Sequence, residues 1–182
     1  MRSKPNILIA GTPGTGKTTL AQRVASSDRF PQDMKLISLG DFIKEHNCYE
    51  EWDKELECHV LDEDKLLDQL EPKLDEGGLL LEYHGCDLFD ANSIDVVFVT
   101  RTNNTTLYDR LSTRGYSAHK LEQNIQCEIF QTLLDEARQS HETVVELTSD
   151  VEADIETNCD TVLSWIEDYV AEAVSTVNDE ES

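Results

Sequence analysis

Short, continuous apolar runs alternate along the chain with longer segments in which apolar residues recur every three or four positions. The runs are typical of strands that are buried on both faces, and they occur at residues 6–10, 35–39, 79–82, 94–100 and 143–147. Five such strands interleaved with helices predict an α/β fold, in which a parallel five-stranded sheet carries helices on both faces. No internal repeat or linker divides the chain, so one domain is expected.

The periodic segments predict helices at residues 18–25, 42–46, 62–75, 105–113, 120–140 and 155–174. The helix predicted at 120–140 has four apolar residues spaced for burial on one face: Ile125, Ile129, Leu133 and Ala137. Residues 48–60 follow neither period and are acidic, which predicts an irregular excursion. A long excursion in a compact domain is more often functional than filler.

A glycine-rich segment, Gly11-Thr12-Pro13-Gly14-Thr15-Gly16-Lys17-Thr18, separates the first predicted strand from the first predicted helix. It matches the pattern G-x-x-x-x-G-K-[ST] at every fixed position, and strand, loop and helix follow in the order of a P-loop. Backbone amides in such a loop and the positive end of the following helix attract phosphate. A tight turn that binds nothing is the alternative, and the flanking elements argue against it.

The P-loop predicts a nucleoside triphosphate as ligand and a P-loop NTPase fold. Lys17 reaches the β- and γ-phosphates in this pattern, and the hydroxyl of Thr18 joins the shell of the cofactor Mg²⁺. The residues expected to hold the nucleotide phosphates from the loop and the first helical turn are Gly14, Thr15, Gly16, Lys17, Thr18 and Thr19.

Further polar groups follow two of the later strands. Glu82 ends a predicted strand, where open α/β sheets bind ligands, and we expect it to hold the metal together with Thr18. His84 would then lie near the phosphates, able to orient water or an acceptor group. An ordinary acid at a strand end and a merely packed histidine are the alternatives.

Three arginines lie before, within and just after the helix predicted at 105–113. Arg110 and Arg114 are four residues apart and so share a helix face, while Arg101 ends the preceding strand. Guanidinium groups beside a P-loop stabilise the charge of a phosphoryl group in transfer, which favours a role for this cluster over isolated surface arginines. The guanine-recognition pattern N-K-x-D is absent from the sequence, which argues against a GTPase.

The chain has 182 residues and a formal net charge of −23. Such acidity disfavours direct binding of naked RNA and favours basic protein partners, although it is also compatible with a role in solubility alone. No apolar stretch approaches a membrane span and the start lacks the apolar core of a signal peptide, so we expect an intracellular protein. The five cysteines are scattered, which predicts free thiols; a metal site of His46, Cys48, Cys58 and His59 would fit no common spacing.

Several motifs together resemble one family far more specifically than the P-loop does. They are Thr12–Lys17, Leu61–Asp64, Tyr83–Asp87, Thr113–Tyr116 and Asn124–Phe130, and they resemble the adenylate kinase isoenzyme 6 family, also called coilin-interacting nuclear ATPases, over nearly the whole chain. The resemblance implies a nucleoside-monophosphate kinase domain at residues 1–175. The acidic residues 176–182 that follow it are expected to form a flexible tail.

Within that domain the resemblance implies a monophosphate-binding region at residues 38–61 and a short lid at 113–123. The residues that it suggests for the monophosphate are Ser38, Gly40, Asp41 and Lys44. We expect Lys17, His84 and Arg114 to be catalytic, with Arg110 and Arg114 contacting ATP.

The resemblance also implies a biological role. It predicts reversible phosphoryl transfer between ATP and AMP with broad acceptor specificity and intrinsic ATPase activity, in a protein of the nucleus and cytoplasm. It further predicts a role in rRNA processing and maturation of the small ribosomal subunit, through binding a basic small-subunit ribosomal protein on the pre-ribosomal particle. Neither a membrane nor naked RNA is an expected partner, and the protein is expected to be a monomer or homodimer.

Two positions depart from the family pattern. Glu82 stands where the family commonly has Asp, and Lys44 stands where relatives often have Arg. A lysine offers a point charge in place of a bidentate fork, which predicts a weaker AMP site. An ATP-driven assembly factor with incidental kinase activity is therefore the main alternative, and a nucleotide sensor without turnover is a third.

Overall fold

In a computed structural model, which describes residues 2–53 and 58–180, the five predicted strands form one parallel sheet. The described residues contain seven strands, of which β3 and β4 lie outside this sheet: β1 (Ile7–Ala10), β2 (Lys35–Ser38), β3 (Tyr49–Asp53), β4 (Cys58–Leu61), β5 (Leu79–Glu82), β6 (Val96–Arg101) and β7 (Val144–Thr148). The sheet order is β2-β5-β1-β6-β7, so that the first strand in sequence is the central one. This confirms the predicted fold class.

Seven helices surround the sheet among the described residues: α1 (Lys17–Ala25), α2 (Leu39–Glu45), α3 (Glu63–Glu76), α4 (Asn104–Ser112), α5 (Ala118–Ile129), α6 (Thr132–Ser140) and α7 (Glu152–Glu180). Local signals set their ends. Helix α3 begins after Asp62, whose carboxylate accepts a hydrogen bond of 3.0 Å from the Lys65 amide. It ends at Gly77, which has a φ of 75°.

Two hydrophobic cores lie on opposite faces of the sheet, because successive side chains of a strand point to opposite sides. In β1, Leu8 and Ala10 pack into the core beneath α2, α3 and α6. Ile7 and Ile9 point the other way, into the core beneath α1 and α7. The central strand is therefore fully buried, and the loop that follows it starts from a rigid base.

The single helix predicted at 120–140 is wrong, because the structure has two helices there. Gln131 adopts a left-handed conformation with a φ of 57° and separates α5 from α6. The break changes the buried face: Ile129 is 51% exposed, contrary to prediction, and Leu134 is buried in place of Leu133. The exposed Phe130 beside Ile129 marks the junction.

The irregular excursion predicted at 48–60 is also wrong for the residues that are described. Strands β3 and β4 pair in antiparallel fashion, with an irregularity in register between Tyr49 and Trp52. Residues 54–57 lie outside the described part of the chain, as do the side chains of Cys58 and His59 in the metal site considered above. The insertion therefore contains a small hairpin between α2 and α3.

The C-terminal helix is longer than predicted. Helix α7 continues to Glu180, past the expected domain boundary at residue 175, while Glu181 and Ser182 lie outside the described residues. The flexibility of the acidic tail stays a prediction. In the described chain, none of the helices has the length and apolar character needed to cross a membrane.

Candidate functional site

The glycine-rich loop joins β1 to α1 at the carboxyl end of the sheet. Gly16, with a φ of 91°, precedes the first turn of α1 and adopts a conformation that a side chain would strain. Gly14 has a φ of 95°, and a Cβ there would come within 2.9 Å of Leu107 and Leu111 of α4. Both positions therefore require glycine, and the loop backbone lies close against α4.

Threonine hydroxyls fix the loop from inside. The carbonyl of Thr12 accepts hydrogen bonds from the Thr15 amide at 3.2 Å and from Thr15 Oγ1 at 2.8 Å. Thr15 Oγ1 also lies 2.7 Å from Thr100 Oγ1 of β6. Both loop threonines are buried, so their hydroxyls shape the turn and leave its outer surface to the ligand.

Lys17 is the buried cation of the site. It is 7% exposed, and its ammonium donates a hydrogen bond of 3.3 Å to the Thr12 carbonyl. Burial lowers the pKa of Lys17 to about 8; the carboxylates of Glu82 and Glu128 raise it, and Arg114 lowers it. The ammonium thus lacks sufficient negative charge nearby, which a polyphosphate would supply.

We expect Mg·ATP binding to take up protons in mildly alkaline solution. The pKa of Lys17 is about 8 in the free site. Bound phosphate should raise this pKa, so that Lys17 takes up about one proton when the ligand binds near pH ~9. Calorimetry in buffers of different ionisation enthalpy measures this uptake. The variant Lys17→Arg keeps the charge without titrating, so uptake that persists in it would contradict the assignment to Lys17.

A carboxylate and two hydroxyls meet where β5 and β2 end. Glu82 is buried, and its two oxygens accept hydrogen bonds from Thr18 Oγ1 at 3.1 Å and from Ser38 Oγ at 2.9 Å. These are oxygen donors, which suit Mg²⁺, and the Thr18 oxygen keeps a lone pair for a metal while its proton points to Glu82. The donor set fits the expected cofactor.

Glu82→Gln should raise the Mg²⁺ concentration for half-maximal ADP formation by about tenfold or more, because an amide orients and polarises the Thr18 hydroxyl less well. Metal titration at fixed ATP measures the shift. Glu82→Asp, which keeps the carboxylate, is the matched control and should stay within about threefold of the native protein. Equal curves for Glu82→Gln and the native protein would remove Glu82 from the metal site.

His84 follows β5, within electrostatic reach of Lys17 and Glu82. Its side chain is exposed, although neighbouring atoms partly desolvate the ring. Desolvation lowers the pKa of His84, the charge of Lys17 lowers it further, and Asp87 and Glu82 raise it. The lowered pKa favours the neutral imidazole, which can accept a hydrogen bond.

The two arginines predicted to contact ATP differ in their surroundings. Arg110 donates hydrogen bonds to the carbonyls of Gly14 at 3.2 Å, Ser149 at 2.9 Å and Asp150 at 3.1 Å. Arg114, just beyond α4, is exposed and close enough to influence the pKa of Lys17. Arg110 thus braces the loop through backbone oxygens, and Arg114 keeps its guanidinium at the surface.

The residues suggested for the monophosphate are only partly brought together. Ser38 reaches Glu82, as described above. Asp41 and Lys44 form an exposed ion pair with each other at 3.4 Å on α2, and a Cβ added to Gly40 would meet no atom within 4 Å. Ser38 therefore lies beside Glu82, while Asp41 and Lys44 of α2 are exposed on the surface.

Arg101 does not join the other arginines, contrary to the sequence interpretation. Its guanidinium pairs with Glu128 and with Glu146. Glu128 is a residue that sequence reasoning missed: it is 3% exposed and also accepts a hydrogen bond of 2.7 Å from Thr12 Oγ1. The family motif 124–130 contains it, but nothing in the spacing indicates that this acid faces the P-loop.

Among the described residues, no cluster of three or more histidine, cysteine or acidic side chains is arranged to hold a metal ion. The described cysteines Cys48, Cys86, Cys127 and Cys159 are free thiols, as expected.

The chain is similar in sequence and in fold to known proteins. The AAA domain family matches residues 7–131. The chain is 48% identical to an adenylate kinase isoenzyme 6 homolog of Drosophila melanogaster, over 89% of this chain and 91% of that protein. A homolog of the same name in Caenorhabditis elegans is 47% identical, over 87% and 90% respectively. A shikimate kinase from Bacteroides thetaiotaomicron shares the fold, with a TM-score of 0.55 and 16% identity over 90% of this chain and 98% of that one.

Proposed function

We propose that this chain, which belongs to the adenylate kinase isoenzyme 6 family, transfers the γ-phosphoryl group of ATP to AMP and forms two ADP. The names of its relatives and its own P-loop fold indicate a nucleotide kinase. The observation that carries the proposal is the buried Lys17 ammonium in the P-loop, with Thr18 and Glu82 hydrogen-bonded beside it. A cation with a lowered pKa is suited to a polyanionic ligand.

The chain's own groups have distinct tasks in this reaction. Lys17 and the loop amides hold the phosphates, while Thr18 and Glu82 hold Mg²⁺, which neutralises charge on the phosphate oxygens when bound. Arg114 closes over the phosphoryl group, and Ser38 lies at the side of the cleft toward α2. Positioning and charge supply the catalysis, so no covalent intermediate is needed.

A second function is intrinsic ATP hydrolysis. The neutral imidazole of His84 is exposed beside the cation of the P-loop, where it can orient water. The α2 pair of Asp41 and Lys44 satisfies its own charges, which weakens the case for tight AMP binding. An assembly factor driven by ATP, with incidental kinase activity, would use these same features.

The proposed biological setting is late maturation of the small ribosomal subunit and rRNA processing, in nucleus and cytoplasm. The net charge of −23 supports a basic ribosomal protein as partner and argues against naked RNA. A pull-down with purified small-subunit proteins at several salt concentrations tests this, and tight binding of naked RNA at physiological salt would contradict it.

One titration separates the two activities. ADP formation from Mg·ATP is followed with AMP, CMP or dAMP as acceptor, and without any acceptor. A rate that rises with the monophosphate supports the kinase and orders its acceptors. A rate indifferent to all three supports the ATPase, and ATP binding without any ADP would leave a nucleotide sensor.

A further inference from the structure

The buried carboxylate of Glu128, on α5, contacts the phosphate loop through Thr12. One oxygen of Glu128 accepts the hydrogen bond from Thr12 Oγ1 at 2.7 Å. The other accepts from the Thr102 amide at 3.3 Å and pairs with the guanidinium of Arg101. Charge-assisted bonds of this kind are stronger than neutral ones, and three donors compensate a buried charge.

Thr12 is the point at which Glu128 acts on the loop. Its carbonyl receives the Thr15 amide, the Thr15 hydroxyl and the Lys17 ammonium, as described for the site. The hydroxyl of Thr12 is bonded to Glu128, and its carbonyl is bonded to Thr15 and Lys17. A displacement of Thr12 would therefore move the turn and the Lys17 ammonium together. The position of Thr12 thus governs two groups that bind phosphate.

We propose that Glu128 is a positioning residue for the triphosphate: through Thr12, it holds the loop amides and the Lys17 ammonium in the geometry that accepts Mg·ATP. The inference rests on the proposed function for the identity of the nucleotide. Glu128 touches neither nucleotide nor metal in this role, because its oxygens are engaged by Thr12, Thr102 and Arg101.

The sign of the effect separates positioning from simple electrostatics. A carboxylate near the loop repels an anionic ligand, so by its field alone the loss of the Glu128 charge would tighten ATP binding. Loss of positioning has the opposite sign, because a neutral amide holds Thr12 and Arg101 less firmly. Misplacement by about 1 Å costs up to about 10²-fold in an active site, so we expect binding to weaken by about tenfold.

The test compares Glu128→Gln, Thr12→Val and the double variant by calorimetric titration with Mg²⁺ and a non-hydrolysable ATP analogue. Each single variant should raise the dissociation constant about tenfold, and the double variant should be no weaker than either one, since both remove the same bond. The KM for AMP should stay at the native value. Thr12→Val gives an independent reading if Glu128→Gln folds poorly.

Glu146→Gln is the matched control. Glu146 contacts the same Arg101 at 3.4 Å, and the change in charge is identical, but Glu146 does not contact the loop. It should bind the analogue as the native protein does. Equal effects of Glu128→Gln and Glu146→Gln, additive effects in the double variant, or unchanged binding in Glu128→Gln would each overturn the proposal.

The outcome also stands apart from that of the proposed function. A native protein that binds the analogue and forms no ADP from ATP and AMP would refute the kinase, whereas the binding titrations would still decide the role of Glu128. A native protein with full kinase activity whose Glu128→Gln variant binds the analogue normally would refute the positioning role alone.

Discussion

Lys17→Met should lower the rate of ADP formation from ATP and AMP by about 10²- to 10³-fold, because it removes the cation that faces the developing charge on the phosphates. Methionine fills similar volume without charge, so the loop keeps its packing. A coupled assay at saturating nucleotide measures the loss. Lys35→Met is the control, since it removes the same charge from an exposed lysine of β2.

The same variant separates catalysis from folding. The pKa of Lys17 falls from 10.5 to about 8 in the folded protein, so the unfolded chain binds more protons between these values. The contribution of Lys17 to the free energy of unfolding therefore increases as the pH rises from about 8 to 10.5. Lys17→Met should lack this increase. Native rates in Lys17→Met, or an activity loss matched by unfolding at neutral pH, would contradict the assignment.

Arg114→Ala should reduce the rate of phosphoryl transfer by about 10³-fold, with little change in thermal stability. The side chain is exposed just beyond α4, so its removal costs little packing, while its positive charge is near enough to lower the pKa of Lys17. Single-turnover kinetics with saturating ATP and AMP isolates this step from nucleotide binding.

Arg114→Lys tests whether planar geometry matters, and it should recover only a small part of the lost rate, because an ammonium lacks the fork of a guanidinium. Arg138→Ala is the matched control, since Arg138 is an exposed arginine of α6 that contacts Glu146. If Arg138→Ala and Arg114→Ala have similar rates, the closing role of Arg114 is wrong.

The parts of the fold that the sequence predicted are those with dense local signals. The strand Ile7–Ala10 is wholly apolar. A glycine-rich loop between such a strand and a helix is typical of a phosphate-binding loop. Glu82 likewise ends an uninterrupted buried strand, and the hydrogen bonds that it accepts from Thr18 and Ser38 place its carboxylate beside the P-loop. Local chemistry was sufficient in each case.

The break between α5 and α6 had no such signal. The apolar spacing runs on through Ile129 and Leu133 as in one helix, and glutamine at 131 is not a residue that ordinarily marks a left-handed turn. The chain changes direction because α5 packs on α4 and α6 on the sheet. Tertiary packing therefore ended the helix that the apolar spacing predicts, and Ile129 is exposed as a result.

Glu128 and Arg101 show the same limit within the site. An acid on an amphipathic helix is normally solvated, and an arginine at a strand end resembles a phosphate ligand as well as a structural partner. Their pairing depends on how α5 lies against the end of β6, which residues far apart in sequence decide. The sequence alone predicted a cluster of three arginines, but it could not show that Arg101 pairs with Glu128.

The place of β1 in the sheet bears on how the protein is made. Ile7 pairs with Leu80 on one side and with Val96 on the other, so both neighbours emerge from the ribosome long after it does. During that interval the apolar residues of β1 have no strands to pair with, and unpaired apolar segments are prone to aggregate or to be bound by chaperones. The phosphate loop that follows β1 therefore acquires its supporting sheet only after β6 has been synthesised.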